Sequence, residues 1–323
     1  MAKAIPFSAG LHETGNGCYA YLQPDGGWGW SNTGLVVDGE QSLLIDTLFD
    51  LKHTQHMLDK MRASVPAASN IDTLVNTHAD GDHTYGNQLL KGADIIGEVS
   101  TAEDLVRMPP SQMLHMNRTY KSGGPGARFF YEMMGKRYDF EGVELTLPTR
   151  TFKDFLALKV GDKDVDLVHV GPAHSRSDTL VHSRSDKTVF TGDILFMNVH
   201  PAIWAGPLLN WMKACDLILS WDVDVVVPGH GPVTDKNGVR TFKEYLGFLI
   251  DESRKRYDAG MNYYDAACDI SLDRYSDWIS PERMVINTAS LFQEFGADHI
   301  PLTEISDNVA RYHAERCCGH SHG

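Results

Sequence analysis

Four short apolar runs in this chain each stop at side chains that can bind a metal ion, and that recurrence restricts the fold more than any other feature. Ile71 to Asn76 runs into Thr77-His78-Ala79-Asp80-Gly81-Asp82-His83. Val165 to Val170 leads to Gly171-Pro172-Ala173-His174, Thr188 to Thr191 to Gly192-Asp193, and Val223 to Val227 to Pro228-Gly229-His230. Runs rich in β-branched residues and bounded by Gly or Pro read as strands. Strands that end on one edge of a layered fold bring the residues after them to a common crevice. In the first block four imidazoles and carboxylates fall within six positions, and Gly81 allows the tight backbone this needs. Imidazole and carboxylate suit Zn, Fe or Mn rather than softer ions. The competing reading is a polar loop in which Asp82 caps a helix near Tyr85 to Leu90. A lone His174 or His230 is more often structural, but the whole ordered set is hard to explain without a metal.

The remaining sequence supplies the layers. Cys18 to Gln23, Gly34 to Asp38 and Ser42 to Asp46 read as strands, the last two split by the Asp38-Gly39 hairpin signal. Further strands are expected at Val143 to Leu147, Phe155 to Val160 and Thr179 to His182. Leu51 to Met61 and Pro207 to Ser220 read as helices. Residues of about 100 to 140 are rich in Met and aromatic side chains and broken by Pro109-Pro110 and Gly123-Gly124-Pro125-Gly126, which predicts two or three inserted helices. From Val239 onward the pattern is helical. The expectation is an α/β domain over residues 1–235, two sheets packed together with helices outside, and a helical C-terminal extension over 236–323 docked on it.

Composition removes other classes. With 29 Lys and Arg against 43 Asp and Glu, the net charge of −14 disfavours phosphate backbones and anionic lipid surfaces, so neither nucleic acid nor membrane is an expected partner. No run of about 18 apolar residues exists. Met1 to Gly10 lacks the apolar core of a signal peptide. Five cysteines, odd in number and without a CxxC pair, point to a reducing cytoplasm rather than a disulfide framework. The expected partner is a small-molecule substrate, with a homo-oligomer left open. The ending Cys317-Cys318-Gly319-His320-Ser321-His322-Gly323 could chelate a metal but reads first as a solvated tail.

Ser31-Asn32-Thr33-Gly34-Leu35, Leu44-Ile45-Asp46-Thr47, the block at 78–83 and the motifs ending in His174, Asp193 and His230 together make residues of about 17 to 235 resemble the metallo-β-lactamase superfamily. The resemblance implies an αββα sandwich of two mixed β-sheets flanked by helices, with a metal site at one edge. By position it implies that His78, Asp80 and His174 hold one ion, that Asp82, His83 and His230 hold a second, and that Asp193 bridges them. Asp46 matches an aspartate that orients the ligand loops from behind. One residue departs: the family usually has histidine where this chain has Asp80, although its flavodiiron branch has an acidic residue there and binds iron. Three carboxylates, two divalent ions and a hydroxide sum to zero charge, where histidine at position 80 would leave one positive charge. This predicts weaker attraction for anionic substrates and a higher pKa for the bound water.

These residues predict a dinuclear metal hydrolase with two divalent ions, Zn first and Fe or Mn as alternatives. A metal-bridging hydroxide would attack an ester, thioester, lactone or amide, with Asp82 as the catalytic residue that orients the nucleophile and relays a proton. No GxSxG and no Cys/His nucleophile pattern offers a covalent route. Trp28 and Trp30, in the region that is a flap in the resembling family, and His200 and Trp204, soon after Asp193, are the candidate substrate-binding residues. Met108, Met113, Met116, Met133 and Met134 could form a pliable apolar lid, so the substrate is expected to be mainly apolar or aromatic. The alternatives are a non-haem di-iron oxygen or nitric oxide reductase, for which 236–323 lacks a flavin-phosphate loop, and a non-catalytic metal-binding sensor on the same fold.

Overall fold

The computed structural model describes residues 5–319. Met1 to Ala4 and the tail from His320 to Gly323 lie outside the described residues, as do the side chains of Cys317 and Cys318, so the chelating-tail reading falls there too. Among the described residues twelve strands, numbered in chain order, form two mixed sheets. The first holds β1 (Gly10–Gly15), β2 (Cys18–Leu22), β3 (Thr33–Asp38), β4 (Gln41–Ile45), β5 (Thr73–Val75), β6 (Asp94–Glu98) and β7 (Arg150–Phe152), side by side in that order. Its first four strands are an antiparallel meander, and β4 to β7 run parallel. The second sheet is ordered β12 (Val225–Val227), β11 (Thr188–Phe190), β10 (Thr179–Ser183), β9 (Lys163–His169), β8 (Phe155–Val160). Only its β11–β12 pair is parallel.

Strand periodicity builds the layers, because alternate side chains leave opposite faces of a sheet. Val36, Leu43, Ile45 and Val75 of the first sheet meet Leu167, Val181, Phe190 and Val227 of the second in a shared core. Their neighbours Leu35, Leu44 and Leu74 point the other way, under helix α1 (Leu51–Ser64), which buries Met57, Leu58 and Met61 against them. Each such side chain removed from water stabilises the packing by ~1.5–3 kcal/mol. Asp50 caps α1 by accepting from the His53 backbone N–H at 2.7 Å. On the outer face of the second sheet, Leu180, Val189 and Val226 pack with α6 (Leu208–Ser220) and the C-terminal helices. These layers are the αββα sandwich.

The remaining helices are α2 (Gly81–Thr84), α3 (Val99–Arg107), α4 (Pro110–Thr119), α5 (Pro125–Phe130), α7 (Lys236–Asp258), α8 (Tyr263–Asp269), α9 (Arg283–Phe295) and α10 (Leu302–Gly319). Helices α3, α4 and α5 fall in the Met-rich segment, and α5 packs on α10 through an Asp307 carboxylate that accepts from the Gly126 N–H at 2.8 Å. No helix among the described residues is long and apolar enough to cross a membrane. Two local expectations differ. Val143 to Leu147 is a largely solvent-exposed link outside either sheet, because its alternation faces no second layer. The strands β6 and β7 extend the first sheet instead; β6 holds only the adjacent pair Ile95-Ile96 between polar ends and Gly97, and β7 only Phe152, so neither shows an apolar alternation.

Candidate metal centre

The site lies where strands of both sheets end. The 76–83 block follows β5, His174 sits in the β9–β10 turn, and Asp193 and His230 follow the parallel neighbours β11 and β12. Register brings the last two together: the Gly229 N–H donates to the Gly192 carbonyl at 2.8 Å. A Cβ on Gly229 would stand 2.0 Å from Asp193 Oδ1, so only glycine leaves that carboxylate its place. Asn32, from the first sheet, pins the His230 loop by donating to the carbonyls of Pro228 at 3.0 Å and Gly231 at 2.8 Å. Gly81 is needed for space, since a Cβ there would stand 2.6 Å from the Tyr85 ring and 2.8 Å from Phe49. Helix α2 begins at Gly81, and the Asp80 side chain at its N-cap position makes no capping bond. Asp82 therefore caps no helix near Tyr85, and both carboxylates turn toward the histidines.

Asp193 is the centre of the cluster. Its Oδ1 lies 3.2 Å from His83 Nε2, and its Oδ2 lies 3.3 Å from His174 Nε2, 3.5 Å from His230 Nε2 and 3.9 Å from His78 Nε2. Asp80 Oδ2 is 3.2 Å from His174 Nε2 and 3.7 Å from His78 Nε2. Asp82 Oδ2 is 3.4 Å from His230 Nε2. The seven side chains form three groups suited to a metal ion: His78, Asp80 and His174; His78, His83 and Asp193; Asp82, His83 and His230.

Every ring in the cluster is oriented from behind. His83 Nδ1 is 2.9 Å from Asp46 Oδ2, His174 Nδ1 is 2.8 Å from the Ala202 carbonyl, and His230 Nδ1 is 2.9 Å from the Gly26 carbonyl. His78 Nδ1 is 3.0 Å from Thr77 Oγ1, whose proton goes to Asp46 Oδ2 at 2.8 Å. These acceptors place the proton on Nδ1 and leave each Nε2 lone pair aimed inward. Nε2 of His78 and of His83 and Oδ1 of Asp193 are buried without a hydrogen-bond partner. Buried polar atoms left unpaired are costly, and converging lone pairs of this kind fit a metal ion. Asp46 itself holds a left-handed backbone, φ 63°, a strained conformation of the kind concentrated at functional sites.

Electrostatics agree with that fit. Burial works against charge throughout, yet His230, His83 and His174 hold the Asp193 carboxyl well below the usual range. Against its own burial, His174 is pushed up to about 9 by Asp193 and Asp80. His83 is raised above its ordinary value by Asp193 and Asp46 despite burial. Without metal the site therefore gathers protons between its carboxylates, the positions that cations would take.

A cavity of about 480 Å³ opens onto this cluster through Asp80, Asp82, His174, Asp193 and His230. Its walls include Trp28, Phe49, Tyr85, Phe130, Phe196 and Trp204. Met108, Met113, Met116 and Met134 of the inserted segment line it as well, whereas Met133 packs on the core of the C-terminal helices. Of the four expected substrate-binding residues, two are elsewhere. Trp30 packs against Tyr138 and His53, with ring centroids 5.1 and 5.5 Å away. His200 is fully buried, its Nδ1 2.6 Å from the Tyr245 hydroxyl, and burial lowers its pKa to about 3. Both lie outside the cavity: the Gly-rich loop between β2 and β3 turns Trp28 inward and Trp30 outward, and the buried Val199–Ile203 strip sinks into the helical core. Sequence reasoning missed the contribution of the C-terminal extension, which supplies Arg283, Leu302 and Ser306 to the cavity. An arginine directly before the apolar Met284-Val285-Ile286 run is a local signal of it.

The family model for the metallo-beta-lactamase superfamily matches residues 26–230. The chain belongs to that superfamily. A human relative, the acyl-coenzyme A thioesterase MBLAC2, is 24% identical over 222 residues, which cover 62% of this chain and 72% of the relative. Among solved structures, the stereoselective inverting sec-alkylsulfatase Pisa1 from Pseudomonas sp. superposes with a TM-score of 0.65 at 15% identity, covering 91% of this chain. The chain spans about half of that sulfatase, 52% of its length. A metallo-beta-lactamase from Pontibacter korlensis gives a TM-score of 0.55 at 17% identity, covering 74% of this chain and 99% of the lactamase. The distant relatives are thus hydrolases of several kinds on one fold.

Proposed function

We propose that this protein is a dinuclear, zinc-dependent hydrolase of thioesters or esters whose acyl or alkyl part is a long apolar chain. The observation that carries the reading is the cavity of about 480 Å³, walled by Met and aromatic side chains and floored by the His and Asp cluster. Its volume and apolar lining suit one medium-sized ligand, and the His and Asp cluster gives its floor a dense group of ionisable side chains. The human relative's thioesterase activity supports placing thioesters first. His78, Asp80 and His174 would hold one ion and Asp82, His83 and His230 the other, with Asp193 between. Divalent ions held there would supply Lewis acidity, polarising a carbonyl and bringing the pKa of a water molecule toward neutrality.

The protein's own groups do the rest. Asp82, at the cavity floor and 3.4 Å from His230, is placed to orient the attacking water and pass its proton to the leaving group. Trp28, Phe130 and Trp204 exclude water from the scissile bond and hold the chain. Metal analysis of protein purified without added metal, joined to a thioester, ester and lactone panel, tests the reading. Two zinc ions per chain with hydrolysis is the expected result. Two iron ions with no hydrolysis would replace it with the di-iron redox alternative that Asp80 suggests.

A further inference from the structure

Arg283 is a buried cation that makes no direct salt bridge among the described residues. It opens helix α9, beyond the 26–230 segment that matches the superfamily, and is only 4% exposed. Its guanidinium lies 4.3 Å from the centre of the Trp28 ring and 5.7 Å from that of Phe196, whose ring stacks on His230 with centroids 5.0 Å apart. One nitrogen, Nη1, donates to the His200 carbonyl at 2.9 Å. Nε is buried without a partner, and the guanidinium makes no salt bridge among the described residues. The adjacent Glu282 is engaged elsewhere: one carboxylate oxygen accepts from Trp28 Nε1 at 2.6 Å and the other faces His313 Nδ1 at 3.6 Å. Yet Arg283 lines the same cavity as Asp82, Asp193 and His230.

Burying an unpaired guanidinium is expensive, so a partner is expected during function. Nη1 is engaged by the His200 carbonyl, so Nε and Nη2 are the N–H groups without a partner among the described residues, and a guanidinium edge of that kind can receive a planar or tetrahedral oxyanion through two parallel N–H bonds. Burial pulls the Arg283 pKa down, while Glu282, Asp193 and Asp82 oppose that change. Asp80 takes one positive charge away from the cluster relative to histidine, and Arg283 returns one from a different element.

We propose that Arg283 is a specificity-determining residue that binds an anionic oxygen group, a carboxylate or a sulfo group, carried by the apolar-chain substrate close to the bond that is cut. The inference rests on the cavity being the substrate site. It makes the preferred substrate an anionic amphiphile rather than a neutral ester.

Calorimetric titration of the zinc-loaded protein with decanoate, decane-1-sulfonate and the neutral N-methyldecanamide tests it. At least one anion should bind about tenfold or more tightly than the amide, and the stronger of the two identifies carboxylate or sulfo chemistry. R283Q should lose that preference while keeping its affinity for the amide and a cooperative melt. R283K, which keeps the charge but not the two-pronged edge, should lose several-fold for the anions, and it decides the matter if R283Q does not fold. Equal binding of anion and amide by the unmodified protein, or a preference that survives undiminished in either folded variant, would overturn the proposal. Binding is read without turnover, so this failure is distinct from a failed hydrolysis panel.

Discussion

Asp46 and His83 are joined by a 2.9 Å hydrogen bond from Nδ1 to Oδ2, while Asp46 Oδ1 accepts from the Thr77 backbone N–H at 2.7 Å. One carboxylate at the end of β4 thus sets both the ring of a candidate metal-ligating histidine and the backbone that leads to His78. The Asp46 backbone adopts a left-handed conformation to do so, which asparagine also tolerates.

Asp46→Asn should therefore keep the fold and weaken the metal site. The amide replaces an acceptor with a donor facing Thr77 or His83. A loss of about 10- to 100-fold in zinc affinity is expected, with an unchanged circular dichroism spectrum. Competition against a fluorescent chelator measures it, and unaltered affinity would remove Asp46 from the ligand-orienting role.

The stability gained from metal should depend on pH with a definite sign. Burial alone would lower the His174 pKa, but Asp193 and Asp80 raise it from 6.5 to about 9 in the metal-free site. A raised folded-state pKa stabilises the metal-free protein fully below pH 6.5 and is lost as pH rises through 9. Metal binding requires the same nitrogen unprotonated. The gap in Tm between zinc-loaded and chelator-treated protein should widen from pH 6.5 to 9. Scanning calorimetry across that window checks it, and a constant gap contradicts it.

Asp80→His should restore one positive charge at the cluster. The acid limb of the pH–rate profile should move down by ~1 unit, because added positive charge favours the deprotonated water. Retained metal content with an unmoved limb would show that Asp80 does not set that pKa.

The two outer tryptophans should separate cleanly. Trp204 is 43% exposed at the cavity, so Trp204→Ala should raise KM for a long-chain substrate about tenfold and leave an acetyl ester unaffected. Trp30 packs on Tyr138 outside the cavity, so Trp30→Ala should cost about 3 kcal/mol of stability and leave chain-length preference alone. Kinetics across a chain-length series, with melts alongside, distinguish the two.

Local sequence carried much of this architecture. Strand periodicity and Gly or Pro stops marked β2 to β5 and β8 to β12, because alternation between two buried faces leaves its imprint on neighbouring residues. The candidate ligands were legible for the same reason: each directly follows a strand, and the strand fixes where its own end goes. β6 and β7 left no such imprint, because β6 carries only the adjacent pair Ile95-Ile96 and the edge strand β7 only Phe152, too few apolar residues to alternate. Facing was decided by tertiary structure alone. Trp28 turns into the cavity and Trp30 away from it, and His200 sinks onto Tyr245 while Trp204 stays at the mouth. Arg283 lies 53 positions after His230 and shares no motif with it, and only the docking of α9 against Trp28 and Phe196 brings it to the same cavity. Chain-local patterns record how one element meets its own layers; which distant side chains share a cavity depends on how separate layers pack, and no short stretch of sequence encodes that.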